Sequence, residues 1–219
     1  MNNFSFEKIT KKYFSKQQYK KISSTVIGIA GAGGLGSNCA IFLVRCGFKN
    51  FVIADFDIVE DVNLNRQCYF IENIGKPKVE CLKEIMLKIN PECSIRIHKI
   101  LIDENNAKEI FKDCNVIIEA FDKPECKAMI VNTFLNSDKL IVSASGLAGF
   151  GNSNRIITKK VRENFYLIGD GVSTVEKDKN PPLAPCVNIA AAKEADAVLE
   201  WILSSDKRQS KKPKNNKQA

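Results

Sequence analysis

The amino-acid sequence predicts one α/β domain built on a doubly wound, mostly parallel β-sheet, with helices on both faces and a small antiparallel extension. Two observations lead to this fold class. Continuous apolar runs indicate strands that are buried on both sides. Amphipathic helical patterns separate these runs, which is typical of parallel strands joined by crossover helices. With 219 residues, 44% of them hydrophobic, the chain is long enough to bury one such core.

The first strand–helix–strand unit occupies about thirty residues. Residues 25–30 form a β-branched strand pattern, and a glycine-rich turn follows directly. A helix is predicted over residues 37–46, because Ser37 and Asn38 open it and Gly47 ends it. A second apolar strand, over residues 50–54, completes the unit.

The same alternation continues to residue 203. Helices are predicted at residues 78–90, 105–112, 124–136 and 187–203, and strands at residues 94–100, 116–120 and 140–145. Two shorter strands, near residues 155–158 and 165–168, form the predicted antiparallel extension.

The formal net charge of +8 is concentrated at the two ends of the chain. Residues 1–21 and 205–219 each carry +5, which leaves −2 for residues 22–204. A basic groove for nucleic acid is therefore not expected in the folded body. We predict a basic, helical N-terminal segment over residues 1–21, a single domain over residues 22–203 and a basic, disordered tail over residues 204–219.

The eight cysteines are scattered and form no Cys-x-x-Cys pair, so neither a zinc site nor a redox motif is predicted. The residues before position 22 have no apolar core of a secretion signal, and no run reaches the roughly 18 apolar residues of a membrane helix. We therefore expect a cytoplasmic protein with reduced cysteines and no membrane partner. The single histidine, His98, lies in a strand pattern, which argues against histidine-based catalysis.

The turn over residues 31–36, Gly-Ala-Gly-Gly-Leu-Gly, predicts a phosphate-binding loop because it lies between a strand and a helix. Its glycines let the backbone approach phosphates, and the helix N-terminus supplies N–H donors. Asp55, at the end of the second strand, is placed to bind a ribose hydroxyl. This Rossmann-like arrangement suits an NAD enzyme and an ATP enzyme equally. The predicted nucleotide-binding glycines are Gly31, Gly33, Gly34 and Gly36.

Three further residues favour ATP chemistry. Arg66 and Lys78 follow the ribose carboxylate and offer a cation pair for the charge that develops when ATP is split between its α- and β-phosphates. Asp122 ends the fourth strand, so it should face the same crevice and hold Mg²⁺. An NAD-binding oxidoreductase, the alternative of a different class, leaves these three residues without a role.

Several motifs resemble one known family. They are Ala-Gly-Ala-Gly-Gly-Leu-Gly-Ser at residues 30–37, Asn-Leu-Asn-Arg-Gln at 63–67, Gly-Lys-Pro-Lys-Val-Glu at 75–80, and the segments 145–151 and 166–170. Over residues 22–203 the chain resembles the ThiF/MoeB/HesA adenylyltransferases, relatives of ubiquitin-activating enzymes, and within them the short ThiF type.

This resemblance implies a function. Such enzymes use ATP to adenylate the C-terminal glycine carboxylate of a ubiquitin-like sulfur carrier ending in Gly-Gly, here ThiS, and release pyrophosphate for thiamin thiazole sulfur transfer. It implies a homodimer with ATP and Mg²⁺ as cofactors. Asp55 would hold the ribose, Arg66 and Lys78 the phosphates, and Asp122 the Mg²⁺, while Asn63 would help to position the phosphates.

The sequence also departs from longer family members. It has no cysteine between Cys126 and Cys186, so the loop over residues 169–185 contains none, and Cys186 is interpreted as structural. We therefore predict adenylation without a covalent protein–carrier intermediate. Many members of the family also place an arginine near their N-terminus in the active site of the partner subunit. In this sequence no arginine precedes Arg45. We expect residues 146–151 and 169–185 to be mobile lids over the carrier's tail.

Two further alternatives remain at this point. A tRNA-modifying dehydratase of the same superfamily would suit the basic tail, whereas the acidic body and the segments 145–151 and 166–170 favour the carrier protein. The motifs alone do not distinguish these enzymes from a nucleotide-dependent scaffold without catalysis.

Overall fold

A seven-stranded sheet forms the centre of the protein, seen in a computed structural model that describes residues 5–151, 153–176 and 179–204. Its strands are β1 (Val26–Ala30), β2 (Asn50–Ala54), β3 (Ser94–His98), β4 (Val116–Glu119), β5 (Leu140–Ala144), β6 (Ile157–Arg162) and β7 (Phe165–Gly169). The spatial order is β3-β2-β1-β4-β5-β7-β6. Strand β6 runs antiparallel to β7, and every other neighbouring pair of these seven strands is parallel. The predicted Rossmann-like fold class is confirmed.

Helices cover both faces of this sheet. They are α1 (Phe6–Thr10), α2 (Lys16–Ser24), α3 (Gly34–Arg45), α4 (Lys78–Ile89), α5 (Ala107–Ile110), α6 (Pro124–Phe134) and α7 (Ala184–Leu203). Alternate strand residues feed two apolar clusters: Ile29 packs with α3, α4 and α7, whereas Ala30 packs with α5 and α6. Each central strand is therefore buried on both sides, which explains its continuous apolar run.

Several element boundaries differ from the predicted ones. Helix α3 begins at Gly34 rather than 37, because Gly33 adopts the extended N-cap conformation and its carbonyl accepts the first helical hydrogen bond, from Ser37. Helix α7 begins at Ala184 rather than 187, with a proline in its first turn. Strand β1 begins at Val26, because the amide of Thr25 is used in capping α2. Strand β6 begins at Ile157 rather than near 155 and continues to Arg162, and β7 ends one residue later than predicted. The other strands and helices that differ are shorter than predicted.

From residue 5 onward, the N-terminal segment forms the helices α1 and α2. Helix α2 starts with a capping box between Ser15 and Gln18 and continues to Ser24, past the predicted limit of residue 21. Its Ile22 is completely buried, and α2 packs against α7. The structure does not describe residues 1–4 and 205–219. The second range is almost the whole of the predicted tail. Within the described part of the chain, no helix is long and apolar enough to cross a membrane.

Helix α7 carries a carboxyl group that the fold buries completely. Glu194 is 0% exposed, and neither carboxylate oxygen has a hydrogen-bond partner of good geometry among the described residues. Burial raises the pKa of Glu194 well above its ordinary value; Lys127 and the Cys39 thiol oppose this shift, and Glu119 adds to it. The neutral carboxylic acid is therefore favoured in the native state.

We expect Glu194→Gln to increase the free energy of unfolding at neutral pH. The unfolded carboxyl ionises above its ordinary pKa of 4.5 while the native one stays protonated, so wild-type stability falls as the pH rises from there. The slope is at most about 1.4 kcal/mol per pH unit for one proton. Urea unfolding at several pH values measures the difference between variant and wild type, which should widen upward from pH 4.5; a constant difference would contradict this prediction.

Candidate active site

Two adjoining cavities open at the carboxyl ends of the strands, where the sheet order reverses between β1 and β4. This is the position at which doubly wound sheets bind ligands. The first cavity has a volume of about 210 Å³ and the second about 380 Å³. Ala120, Phe121 and Asp122 border both cavities. The chain thus forms a two-part crevice with the end of β4 at its centre.

The glycine-rich turn forms one wall of this crevice. Gly31 has a φ of +99°, and a Cβ there would lie 2.9 Å from the carbonyl oxygen of Ala120. A Cβ on Gly36 would lie 1.9 Å from the carbonyl oxygen of Gly31, so α3 starts in direct contact with β1. Gly31 and Gly33 line the first cavity, whereas Gly34 lines the second. The turn therefore presents backbone to both cavities, with α3 beginning between them.

Two glycines of this turn differ in the space available for a side chain, and alanine substitutions test this difference. We expect Gly36→Ala to lower the free energy of unfolding by about 1–3 kcal/mol, because its methyl group collides with backbone. Gly33→Ala is the matched control, since Gly33 has a φ of −81° and its Cβ would meet only the Nε2 of Gln67, at 4.0 Å. Thermal unfolding of both variants measures this difference. Equal melting temperatures would contradict the prediction.

Asp55 anchors the glycine-rich turn to the end of β2. Its Oδ2 accepts a hydrogen bond of 2.6 Å from the amide of Ala32, and its Oδ1 accepts one of 2.7 Å from the amide of Asp57. Burial raises the pKa of Asp55, while these two amides lower it in part. Each carboxylate oxygen keeps a second lone pair. Asp55 lines the first cavity, so a ligand hydroxyl can approach it there.

Lys78 also lines the first cavity, as the first residue of α4. The side chain is only 8% exposed, and its Nζ lies 2.8 Å from Oδ2 of Asp57. The amide of Lys78 donates to the carbonyl of Asp57, so two bonds join the start of α4 to the segment that follows β2. Asp57 was not singled out from the sequence as a site residue. The Asp-x-Asp spacing after β2 was the available signal.

Arg66 lies in the second cavity, apart from Lys78. Its Nη1 donates to the carbonyl of Val62 at 3.1 Å and to Oδ1 of Asn65 at 2.8 Å. The Nδ2 of Asn38 binds the carbonyl oxygen of Arg66 and thereby attaches this loop to α3. The two cations predicted to act as a pair therefore border different cavities, with Asp122 bordering both.

Asn63 lines neither cavity. It is buried, and its Oδ1 accepts a hydrogen bond of 3.1 Å from the amide of Glu60. Its carbonyl accepts from the amides of Arg66 and Gln67. In the structure Asn63 shapes the turn that carries Arg66, so any effect on a ligand passes through that turn.

Asp122 is exposed at the border of the two cavities. The described residues contain no group of three or more acidic, histidine or cysteine side chains that could hold a metal ion. A site built on the single carboxylate of Asp122 fits Mg²⁺ better than zinc, because Mg²⁺ commonly binds one or two carboxylates and takes its other ligands from water and phosphate.

A buried carboxylate below Asp122 fixes the end of β4. Glu119 is 0% exposed and accepts hydrogen bonds from the amide of Phe121 at 2.8 Å and from the hydroxyl of Ser143. Both of its oxygens lie 3.2 Å from Nζ of Lys127, which lines the second cavity. Glu119 and Lys127 were missed in the sequence because their pairing across eight residues follows no local motif.

Residues of the two segments predicted to be lids contribute to the lining of the second cavity. The amide of Gly149 donates to the carbonyl of Pro181, and that of Gly171 to the carbonyl of Ser145. The lids are therefore hydrogen-bonded to each other. Cys186 is buried behind them at the start of α7, in accord with its structural interpretation.

Comparisons with known proteins agree with this architecture. A family model described as ThiF family matches residues 7–218. The chain is 35% identical over 132 residues to "Adenylyltransferase and sulfurtransferase UBA4" of Eremothecium gossypii, covering 60% of this chain and 30% of that protein. With UBA4 of Kluyveromyces lactis it shares 29% identity over 198 residues, covering 88% and 45%. The chain thus spans less than half the length of these relatives.

Solved structures show the same fold at low sequence identity. Escherichia coli tRNA N6-threonylcarbamoyladenosine dehydratase TcdA, in complex with AMP, matches with a TM-score of 0.83 over 92% of this chain and 95% of that chain, at 18% identity. Escherichia coli MccB with ATP matches with a TM-score of 0.67 over 84% and 58%, at 22% identity. Since the family model extends over almost the entire sequence, this chain belongs to the ThiF family.

Proposed function

We propose that this protein is an adenylyltransferase that transfers AMP from ATP to the C-terminal carboxylate of a small carrier protein. The observation that carries the proposal is the position of Asp122 between two cavities of different character. The first cavity has the glycine-rich turn, Asp55 and Lys78, which suit a nucleotide. The second is lined by Arg66 and residues 146–148, and the arginine suits an anionic peptide end.

In this proposal the carrier's carboxylate attacks the α-phosphorus in line with the departing group. The new O–P bond forms as the bond between the α-phosphorus and the bridging oxygen breaks, and pyrophosphate leaves with that electron pair. A carboxylate is already ionised at neutral pH, so no general base is required. Lys78 and Arg66 then stabilise the developing negative charge, and Asp55 holds the ribose. Mg²⁺ held by Asp122 would supply further charge neutralisation.

We infer that the carrier is a ubiquitin-like sulfur carrier of the ThiS type, ending in Gly-Gly and serving thiamin thiazole sulfur transfer. The relatives named adenylyltransferase and sulfurtransferase support sulfur-related chemistry. A homodimer is part of the proposal. Exposed apolar side chains around the turn that precedes α4 offer a surface for a second copy, namely Ile58, Val62, Phe70, Ile71 and Ile74.

The second candidate is a tRNA-modifying dehydratase. The likeness in fold to TcdA and the +5 charge of residues 205–219 support it. The charge of −2 on residues 22–204 argues against it, because tRNA binding relies on basic surface near the site.

ATP–pyrophosphate exchange tests these candidates directly. The purified protein is assayed with recombinant ThiS, with total tRNA and with neither, and ThiS lacking its two terminal glycines is the matched control. Exchange that requires intact ThiS supports the proposal, whereas exchange that requires tRNA, or none in any assay, contradicts it. Non-reducing mass spectrometry of the same mixture should show no covalent adduct between enzyme and carrier.

A further inference from the structure

Two segments that are distant in sequence contribute residues to the lining of the second cavity. We call these segments, residues 145–149 after β5 and residues 169–175 after β7, the clasp. A Cβ on Gly146 would lie 1.9 Å from Oδ1 of Asp170, and one on Gly169 would lie 1.8 Å from the carbonyl oxygen of Ser145. Both glycines have positive φ angles, +76° and +127°. The two segments therefore touch so closely that only glycine fits at the contact.

One arginine, Arg155, joins both segments of the clasp. Its Nη1 pairs with Oδ2 of Asp170 and donates to Oγ of Ser173 at 3.0 Å. Its Nη2 donates to the carbonyl oxygen of Ala148 and lies 3.9 Å from Sγ of Cys186 at the start of α7. A single guanidinium thus connects the two segments with the helix behind them.

The carboxylate of Asp170, which pairs with Arg155, is also held by backbone hydrogen bonds. Asp170 accepts hydrogen bonds from the amides of Val172 at 2.9 Å and Ser173 at 2.8 Å. Burial acts to raise the pKa of Asp170, but these amides and Arg155 outweigh it and lower the pKa to about 2. Asp170 therefore remains ionised across the physiological pH range, and the ion pair persists with it.

We propose that Arg155 is a positioning residue that holds the clasp in the shape required to receive the carrier's C-terminal peptide. The inference rests on the proposed function and assigns the second cavity's wall to peptide binding. The residues of the clasp that line that cavity include Gly146, Leu147, Ala148, Ser173 and Thr174. An extended tail of small residues can lie along such a wall, and a wall that is already ordered binds it at a smaller entropic cost.

The geometry requires arginine rather than lysine at this position. A guanidinium donates in several fixed directions at once, which is how Arg155 binds Asp170, Ser173 and Ala148 together. A lysine ammonium at the end of a flexible stem can keep the pair with Asp170 without reproducing all three contacts. Arg155→Lys should therefore be intermediate between the wild type and Arg155→Met.

Hydrogen–deuterium exchange measures the protection of the backbone amides of the clasp in the absence of a carrier. We expect Arg155→Met to increase exchange in residues 145–149 and 169–175 together, with residues 26–45 unchanged. The matched control is Lys160→Met, which removes the exposed ion pair with Glu163 on the neighbouring hairpin and should leave the clasp protected. Wild-type protection of the clasp in Arg155→Met would overturn the inference.

Steady-state ATP–pyrophosphate exchange with recombinant ThiS then separates an effect on positioning of the carrier from a general loss of active structure. Arg155→Met should raise the KM for ThiS about tenfold and Arg155→Lys less, with kcat and the KM for ATP within twofold, because Arg155 does not border the first cavity. An unchanged KM for ThiS, or an equal rise in both KM values, would overturn the inference alone. No wild-type exchange with ThiS would overturn the proposed function, and the clasp's role in peptide binding would fall with it.

Discussion

Asp122→Asn is expected to reduce ThiS-dependent ATP–pyrophosphate exchange by about a hundredfold or more while the protein stays folded. Asp122 borders both cavities, so its carboxylate lies where the nucleotide and the carrier's tail would meet. Removing one charged contact to the reacting groups costs roughly 3 kcal/mol of transition-state stabilisation. Its exposure means that asparagine leaves no buried charge unpaired, so the melting temperature should not change.

Steady-state exchange at several Mg²⁺ concentrations measures this effect. If Asp122 holds the ion, the variant should also need more Mg²⁺ to reach half of its own maximal rate. Glu125→Gln is the matched control, because Glu125 is an exposed acid in the first turn of α6 that lines neither cavity. Near-normal exchange in Asp122→Asn would remove Asp122 from the proposed mechanism.

Arg66→Ala is expected to lower the same exchange by a similar factor. Arg66 lines the second cavity, with the stem of its side chain beside Gly34 at the start of α3, so its guanidinium would neutralise charge on reacting groups bound there. The side-chain contacts observed, to Val62 and Asn65, lie within the same loop, so their loss should leave the core intact.

Kinetic assays and thermal unfolding of Arg66→Ala test this expectation. Arg45→Ala is the control, an exposed arginine at the end of α3 far along the helix from the crevice. If Arg66→Ala and Asp122→Asn both keep near-normal exchange, the assignment of the crevice as an adenylation site is refuted.

The positions of most candidate residues could be predicted because parallel strands share one edge. Gly31, Asp55 and Asp122 each follow directly, or within a few residues, the carboxyl end of a strand with a clear apolar run. These ends lie at one edge of the sheet, and the order β2-β1-β4 makes the three strands neighbours at the point where a doubly wound sheet binds its ligand. The position of Lys78 could be predicted in the same way, because it begins α4, the helix that follows β2.

Other features depended on contacts that no local pattern encodes. The sequence placed Arg66 and Lys78 in one group, but the loop between β2 and α4 directs them to separate cavities. Asn63 carried a predicted role in phosphate positioning, whereas its side chain caps a turn. The pair of Glu119 and Lys127 joins a completely buried carboxylate to a partly exposed lysine, and the burial of Glu119 follows only from the packing of the sheet.

Local periodicity and short motifs are sufficient to predict the fold class, the nucleotide-type turn and the resemblance to a family. The division of the crevice in two and the joining of two distant segments by Arg155 are visible only in the folded protein. Both features depend on contacts between residues that are far apart in the sequence. Chain topology fixes their distances, and composition along the chain does not.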